Sequence, residues 1–321
     1  MIRQNTWLDP DTDRCFTTYP VIKPLDTLLY NEWQAVTIGK SLKKRLEKND
    51  QLEAYQNEID DFIDRGVLVK VSRKEIADWQ AMGHPVSFIC HQPVFRPDKA
   101  TTQVRLVFNS SLKTGKGGSA PNEHWPKGPN ILKPLIEVFV RFRCNHTAVH
   151  FDITKMYHSV GTTNHEKMVQ LMVWWDKETG EQLILGPTAV MFGNTPASAI
   201  MEVCKDLAAD AGHDIDMVAA NAIREDTYID DGCTGGSEKE AIRMIGDCFV
   251  KDGVLEYTGT IAQILKKAGF KLKMMIRSGK NPQEALEKMG EGILGHCWDP
   301  YKDELSFPFS FLPLRQEKEK R

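Results

Sequence analysis

The chain has 321 residues, 41% of them hydrophobic and 26% charged, with a formal net charge of −3 at pH 7. This composition supports a folded core of one large domain or a few subdomains, and it excludes a disordered or globally basic chain. The seven cysteines (Cys15, Cys90, Cys144, Cys204, Cys233, Cys248 and Cys297) are scattered and contain no Cys-x-x-Cys pair, so neither a zinc site nor a disulfide framework is indicated. That usage, and an N-terminus without the apolar centre of a signal peptide, point to a reducing intracellular setting. No apolar run reaches the length of a membrane span, so no membrane partner is expected.

In chain order, Asp9, Asp11 and Asp13 imitate the start of a calcium loop, but the glycine is missing and Pro20 stands where the closing Glu belongs. From Glu32 to Arg65 the spacing of Val36, Leu42, Leu46, Leu52, Tyr55, Ile59 and Phe62 predicts one or two amphipathic helices, with Gly66 as the stop. Strands are predicted over Val86 to Phe95 and Val104 to Phe108, followed by a long polar loop and a helix over Leu132 to Phe142. Ala148 to Ile153 is expected to be a short apolar strand ending at Asp152. Thr195-Pro196 opens a helix, with Thr195 as N-cap and Pro196 in the first position. Two further helices are expected over Glu240–Val250, packing through Ile242, Ile245 and Phe249, and over Gly259–Ala268.

The stretch YIDDGCTGG at 228–236 sets two aspartates side by side after an apolar-aromatic strand start, and Gly235-Gly236 is expected to let the chain turn away. Neighbouring carboxylates repel, and a half-buried pair needs a counter-charge. If the strand of Asp152 lies antiparallel to the strand of Asp230, three carboxylates converge with no neutralising Lys or Arg in the local sequence. Magnesium suits such a site, because it takes one or two carboxylates together with substrate phosphates. A surface aspartate pair capping a turn is the competing reading. The charge is also uneven. Nine Lys/Arg face three Asp/Glu between Arg96 and His146, and six face none between Ile261 and Gln283, as expected of polyanion contact at two places.

Several ordered motifs carry a resemblance. RLVFNSS at 105–111, GPNI at 128–131, FDITKMYHSV at 151–160, FGNTPAS at 192–198, YIDD at 228–231, KKAGFKL at 266–272 and LGHCWDP at 294–300 stand in one order over nearly the whole chain. In these the sequence resembles a reverse transcriptase (RNA-directed DNA polymerase) of the BEL/Pao class of long-terminal-repeat retrotransposons. The resemblance implies an α+β fold, the fingers and palm of a right-hand polymerase, with an antiparallel palm sheet flanked by helices and without thumb or ribonuclease H. It implies a helical N-terminal extension with short strands over 1–84, fingers over 85–147, a palm over 148–290, and a primer-grip-like hairpin and tail over 291–321.

By that likeness Asp152 and Asp230 hold two magnesium ions, with manganese able to substitute. Asp231 is a weaker or indirect ligand, and the backbone carbonyl of Ile153 adds a contact. Arg105 and Lys99 reach the triphosphate of the incoming deoxynucleotide. Tyr157 excludes the ribose 2′-hydroxyl, Asn194, Thr195 and Pro196 line the nucleotide and template side, and Gly295 and Trp298 belong to the primer grip. Two departures stand out. Asn109 occupies a position where the family usually has Asp, and Met274 one where it commonly has a Lys that protonates pyrophosphate, a role Lys273 or Lys271 can take. The implied partners are an RNA or DNA template–primer, deoxynucleoside triphosphates and other parts of a pol polyprotein. The alternatives are a non-catalytic nucleic-acid-binding remnant and an RNA-directed RNA polymerase, against which Tyr157 argues.

Overall fold

A computed structural model describes residues 1–96, 104–251, 253–279, 293–294 and 296–306. Two strands, β1 (Thr6–Asp9) and β2 (Arg14–Thr17), form an N-terminal hairpin whose turn holds Asp11 and Asp13. The predicted helical stretch is two helices, α1 (Glu32–Lys48) and α2 (Leu52–Asp64), broken at Asp50, which adopts a left-handed φ of 56°. β3 (Leu68–Lys70), α3 (Arg73–Ala81), β4 (Cys90–Phe95) and β5 (Val104–Asn109) follow. Next come α4 (Leu135–Cys144), β6 (Thr147–Thr154), α5 (Met156–Ser159), β7 (Gly161–Thr162) and α6 (Asn164–Met168). β8 (Met172–Trp175) pairs with β9 (Gln182–Pro187), which pairs in turn with β3, and α7 (Ala197–Gly212) and α8 (Met217–Glu225) lead to β10 (Thr227–Tyr228) and β11 (Asp231–Gly236). The chain continues through α9 (Glu238–Ile245), β12 (Cys248–Lys251), β13 (Val254–Tyr257), α10 (Thr260–Lys266), β14 (Lys271–Arg277), β15 (Cys297–Asp299) and β16 (Glu304–Ser306).

The element that organises the molecule is a four-stranded antiparallel sheet in the order β10-β11-β6-β14. Because side chains alternate along a strand, β6 feeds two cores. Val149, Phe151 and Ile153 pack with Ile200, Val203 and Cys204 of α7 and with Ile261, Ile264 and Leu265 of α10. On the other face Ala148 joins Cys233, Met274 and Ile276 under Val138, Phe139 and Phe142 of α4 and under Trp298. The N-terminal hairpin is not a separate appendage: Ile2, Cys15, Tyr19 and Leu28 belong to the first of these cores. α1 and α2 instead pack through Leu42, Leu46, Tyr55, Ile59 and Phe62 against Phe108 and Trp174.

Three local expectations are corrected. Gly235 and Gly236 do not turn the chain; they lie within β11, opposite Ala148 and Thr147. A side chain at Gly235 would strike the Thr147 carbonyl oxygen 2.3 Å away, and one at Gly232 the Phe151 ring at 2.1 Å, so these glycines admit close strand packing. The helix expected over Glu240–Val250 stops at Ile245, because Gly246 takes a φ of 62° and ends it. Ala241, Met244 and Ile245 are its buried residues, whereas Ile242 is exposed and Phe249 lies exposed on β12. Finally, α7 begins one residue later than expected, with Pro196 as N-cap and the Thr195 hydroxyl donating to the Asn122 carbonyl at 3.3 Å.

Buried histidines tie the α1–α2 core together. His91 Nδ1 lies 2.5 Å from the Tyr55 hydroxyl and Nε2 lies 3.1 Å from the Val173 carbonyl oxygen. A carbonyl only accepts, so Nε2 carries the proton and Nδ1 accepts from tyrosine: the ring is neutral. Burial lowers its pKa to about 4, the Val173 hydrogen bond opposing, and lowers that of His158 to about 3, with Arg65 and Lys155 adding to the effect. Both lie below the value of about 6.5 of an exposed histidine. Between pH 6.5 and about 4 the unfolded chain therefore binds more protons, and stability rises with pH across that window. The contribution is complete above pH 6.5 and is lost as pH falls toward the folded values. Urea midpoints are expected to fall steadily from pH 6.5 to 4.5, with His91→Gln removing about 2–3 kcal/mol of that pH dependence. A variant with the wild-type slope would refute the assignment.

Candidate active site

The hairpin joining β10 to β11 has Tyr228 opposite Asp231, leaving Ile229 and Asp230 as a two-residue turn. Ile229 takes a φ of 56° and Asp230 does not go positive, the pattern of a II′ turn that ordinarily has glycine first. A β-branched residue there costs about 1–3 kcal/mol and persists only when its surroundings hold it. The Ile153 N–H donates to the Asp230 carbonyl at 2.9 Å and the Cys233 N–H to the Asp226 carbonyl at 2.8 Å. The Ile229 side chain is packed against the main core.

This turn brings the carboxylates together. Asp231 on β11 is the direct cross-strand partner of Asp152 on β6, so both lie on one sheet face, with Asp230 at the hairpin tip. Like charges placed opposite each other destabilise a sheet. The counter-charge, absent from the local sequence, comes from a distant strand. The β6–β14 ladder pairs Leu272 with Ile153 and then Met274 with Asp152, a bulge that leaves Lys273 out of register. Lys273 Nζ lies 3.4 Å from Asp152 Oδ2, while Met274 turns into the core. Asp230 is exposed as a residue, yet surrounding protein displaces enough water to push its carboxyl above the ordinary aspartate range. Its own backbone, Arg105, Lys205 and Lys273 oppose that shift.

Among the described residues no three His, Cys, Asp or Glu side chains converge into a complete metal cage. The donors that are present are hard carboxylate oxygens in a like-charged pair. They fit magnesium, which keeps open positions for water and substrate phosphates, and do not fit a soft metal.

The remaining expected residues divide. Arg105 is exposed on β5 and close enough to Asp230 to act on its carboxyl. Tyr157 is partly buried, its ring 4.6 Å from that of Phe192 and its hydroxyl 3.5 Å from Ser198 Oγ. Burial raises its phenol pKa, the Ser198 contact opposing, and Asp230 adds to the shift, so the ring and the Asp230 carboxylate are neighbours. Asn194 turns inward: its Oδ1 accepts from Ser110 Oγ at 2.6 Å, and its Nδ2 donates to Tyr19 Oη at 3.0 Å and Gln170 Oε1 at 2.7 Å. It clamps the loop before α7, and Thr195 is fixed beside it by its N–H donating to Asn122 Oδ1 at 2.9 Å. Trp298 is packed on Phe142 at 5.1 Å, and its indole N–H donates to Asp303 at 3.0 Å. Lys99 and Gly295 lie outside the described residues.

Sequence reading missed several supports. Arg14 Nε donates to the Ser159 carbonyl at 2.8 Å and so holds the end of the short helix that carries Tyr157. Glu202 and Lys205 lie buried on α7 beside the hairpin. No local signal marks Arg14 or the reach of Lys205 to Thr227, since those partners are far away in sequence.

No protein-family profile matches the chain, and no curated protein matches it. Among solved structures it is similar to a foamy viral protease-reverse transcriptase in complex with double-stranded DNA, at a TM-score of 0.46 and 17% identity over 68% of this chain and 30% of that one. It is also similar to that protein in complex with an RNA/DNA hybrid, at 0.43 and 16% over 72% of this chain and 23% of that one. The chain thus spans less than a third of either relative. Among the described residues no helix is long and apolar enough to cross a membrane.

Proposed function

We propose that this chain is the fingers-and-palm portion of an RNA-directed DNA polymerase of the BEL/Pao retrotransposon class, extending a primer 3′-hydroxyl with deoxynucleoside triphosphates on an RNA or DNA template. One observation carries the reading: Asp152 and Asp231 face each other across antiparallel strands, with Asp230 held at the tip of a strained turn beside them. A charged, strained constellation of this kind costs stability and is retained where it performs chemistry.

Asp152 and Asp230 hold the divalent ions, and Asp231 contributes from the facing strand. Divalent ions held by these carboxylates, magnesium or manganese, would supply activation of the primer hydroxyl and charge stabilisation at the leaving pyrophosphate. Arg105 offers a planar guanidinium to the triphosphate. Tyr157 closes the space beside the sugar. Lys273, already at Asp152, holds a proton within reach of the leaving group. Other segments of a pol polyprotein complete the primer-binding surface.

The test is extension of a DNA primer on an RNA template with labelled deoxynucleotides and magnesium or manganese, with Asp230→Asn as the control. Incorporation that disappears in Asp230→Asn is the expected result. Template binding with no incorporation under either metal would favour the non-catalytic remnant.

A further inference from the structure

α7 places two charges where a helix packed on a sheet ordinarily places apolar side chains. Glu202 is 5% and Lys205 1% exposed, among buried Ala, Ile, Met, Val and Cys residues of the same helix. Lys205 Nζ lies 2.8 Å from Glu202 Oε1 and donates to the backbone carbonyl of Thr227 at 2.9 Å. The contact to Glu202 is an ion pair without hydrogen-bond alignment, since Oε1 has no well-directed donor. Burying two ions is costly, and an apolar pair of similar volume often serves a core equally well or better. Folding stability alone therefore does not account for them.

What they contact does. Thr227 opens β10, the two-residue edge strand of the palm sheet, three residues before Asp230. An edge strand this short contributes few ladder bonds, and the turn after it is strained at Ile229. Lys205 holds the Thr227 carbonyl from below, the Thr227 hydroxyl donates to the Ala222 carbonyl at 3.3 Å, and the strand's root is fixed on both sides. Burial lowers the Lys205 pKa, and Glu202, 2.8 Å away, opposes that shift.

We propose that Glu202 and Lys205 are positioning residues for the Tyr228–Asp231 hairpin: the pair pins its base through the Thr227 carbonyl. The consequence for catalysis rests on the polymerase reading; the pinning does not. Lys205→Met alone strands a buried carboxylate and is expected to unfold or melt early. The informative variant removes both charges, Glu202→Leu with Lys205→Met, and is expected to melt within a few degrees of wild type. Amide hydrogen exchange at Ile153 and Cys233, whose N–H groups close the hairpin, then quickens about tenfold or more, while other β6 amides keep their protection. A second pair, Glu202→Gln with Lys205→Gln, retains a donor for Thr227 and returns exchange toward wild type.

Wild-type exchange in the apolar pair, or equal exchange in both pairs, overturns the proposal. The wild-type chain adds a check that needs no variant to fold: Ile153 and Cys233 should exchange as slowly as the centre of β6, and fast exchange there also overturns it. A wild type that pins its hairpin but makes no DNA would refute the polymerase reading and leave the strut standing.

Discussion

Asp152→Asn is expected to lower primer extension by roughly 10³-fold or more while the melting temperature stays within a few degrees of wild type. The substitution preserves shape and removes only charge. Asp152 lies on β6 between β11 and β14 with its side chain 23% exposed, and Asn fills the same space, so packing is kept. Two electrostatic effects on the fold nearly cancel. Losing the 3.4 Å pair with Lys273 costs up to about 1 kcal/mol, and losing the opposition of Asp231 returns a similar amount. Metal binding has no such compensation, because an amide oxygen is a weak ligand for a hard cation. Asp230→Asn should match it. Asp231→Asn should cost less, roughly 10–10²-fold, if its ligation is indirect. Steady-state extension with circular dichroism melts distinguishes these outcomes. An Asp152→Asn chain that retains a tenth of the activity would remove the metal site from the mechanism.

Tyr157→Ala is expected to lower discrimination against ribonucleoside triphosphates by about 10²-fold, with deoxynucleotide use much less affected. The reasoning is steric and depends on the ring being held. Lys155 takes a left-handed φ of 46° just before α5, and Arg14 fixes the carbonyl at its end, so the helix is clamped at both sides. Phe192 lies against the ring at 4.6 Å and limits its swing. Tyr157→Phe keeps the ring and should keep the discrimination, which separates bulk from the hydroxyl. Single-nucleotide incorporation with each sugar reads this directly, and a Tyr157→Ala chain that still rejects ribonucleotides would show that another group guards the sugar.

The sequence by itself determined most of the elements and marked the carboxylates that they bring together. Period and punctuation placed the α1–α2 pair, the strand of Asp152, the α7 helix and the hairpin of YIDD to within a few residues, because these signals are local. An apolar-aspartate strand and a Tyr-x-Asp-Asp turn made a shared carboxylate site legible before any coordinates. Where local reading failed, the deciding interactions were not local. Gly235 and Gly236 look like a turn and are strand, because only the packing of β11 on β6 shows that a Cβ would strike backbone and side-chain atoms. Met274 looked like the position of a lost cation, but a bulge in β14 sends Met274 inward and Lys273 to Asp152. Asn194 read as a nucleotide contact, and its amide is spent on Ser110, Tyr19 and Gln170. The counter-charges of the site come from Arg105, Lys205 and Lys273, which only the folded chain assembles. Spacing along a chain reports which face a residue takes. Which distant partner meets it there is set by strand register and helix packing, and those are decided only when the whole core closes.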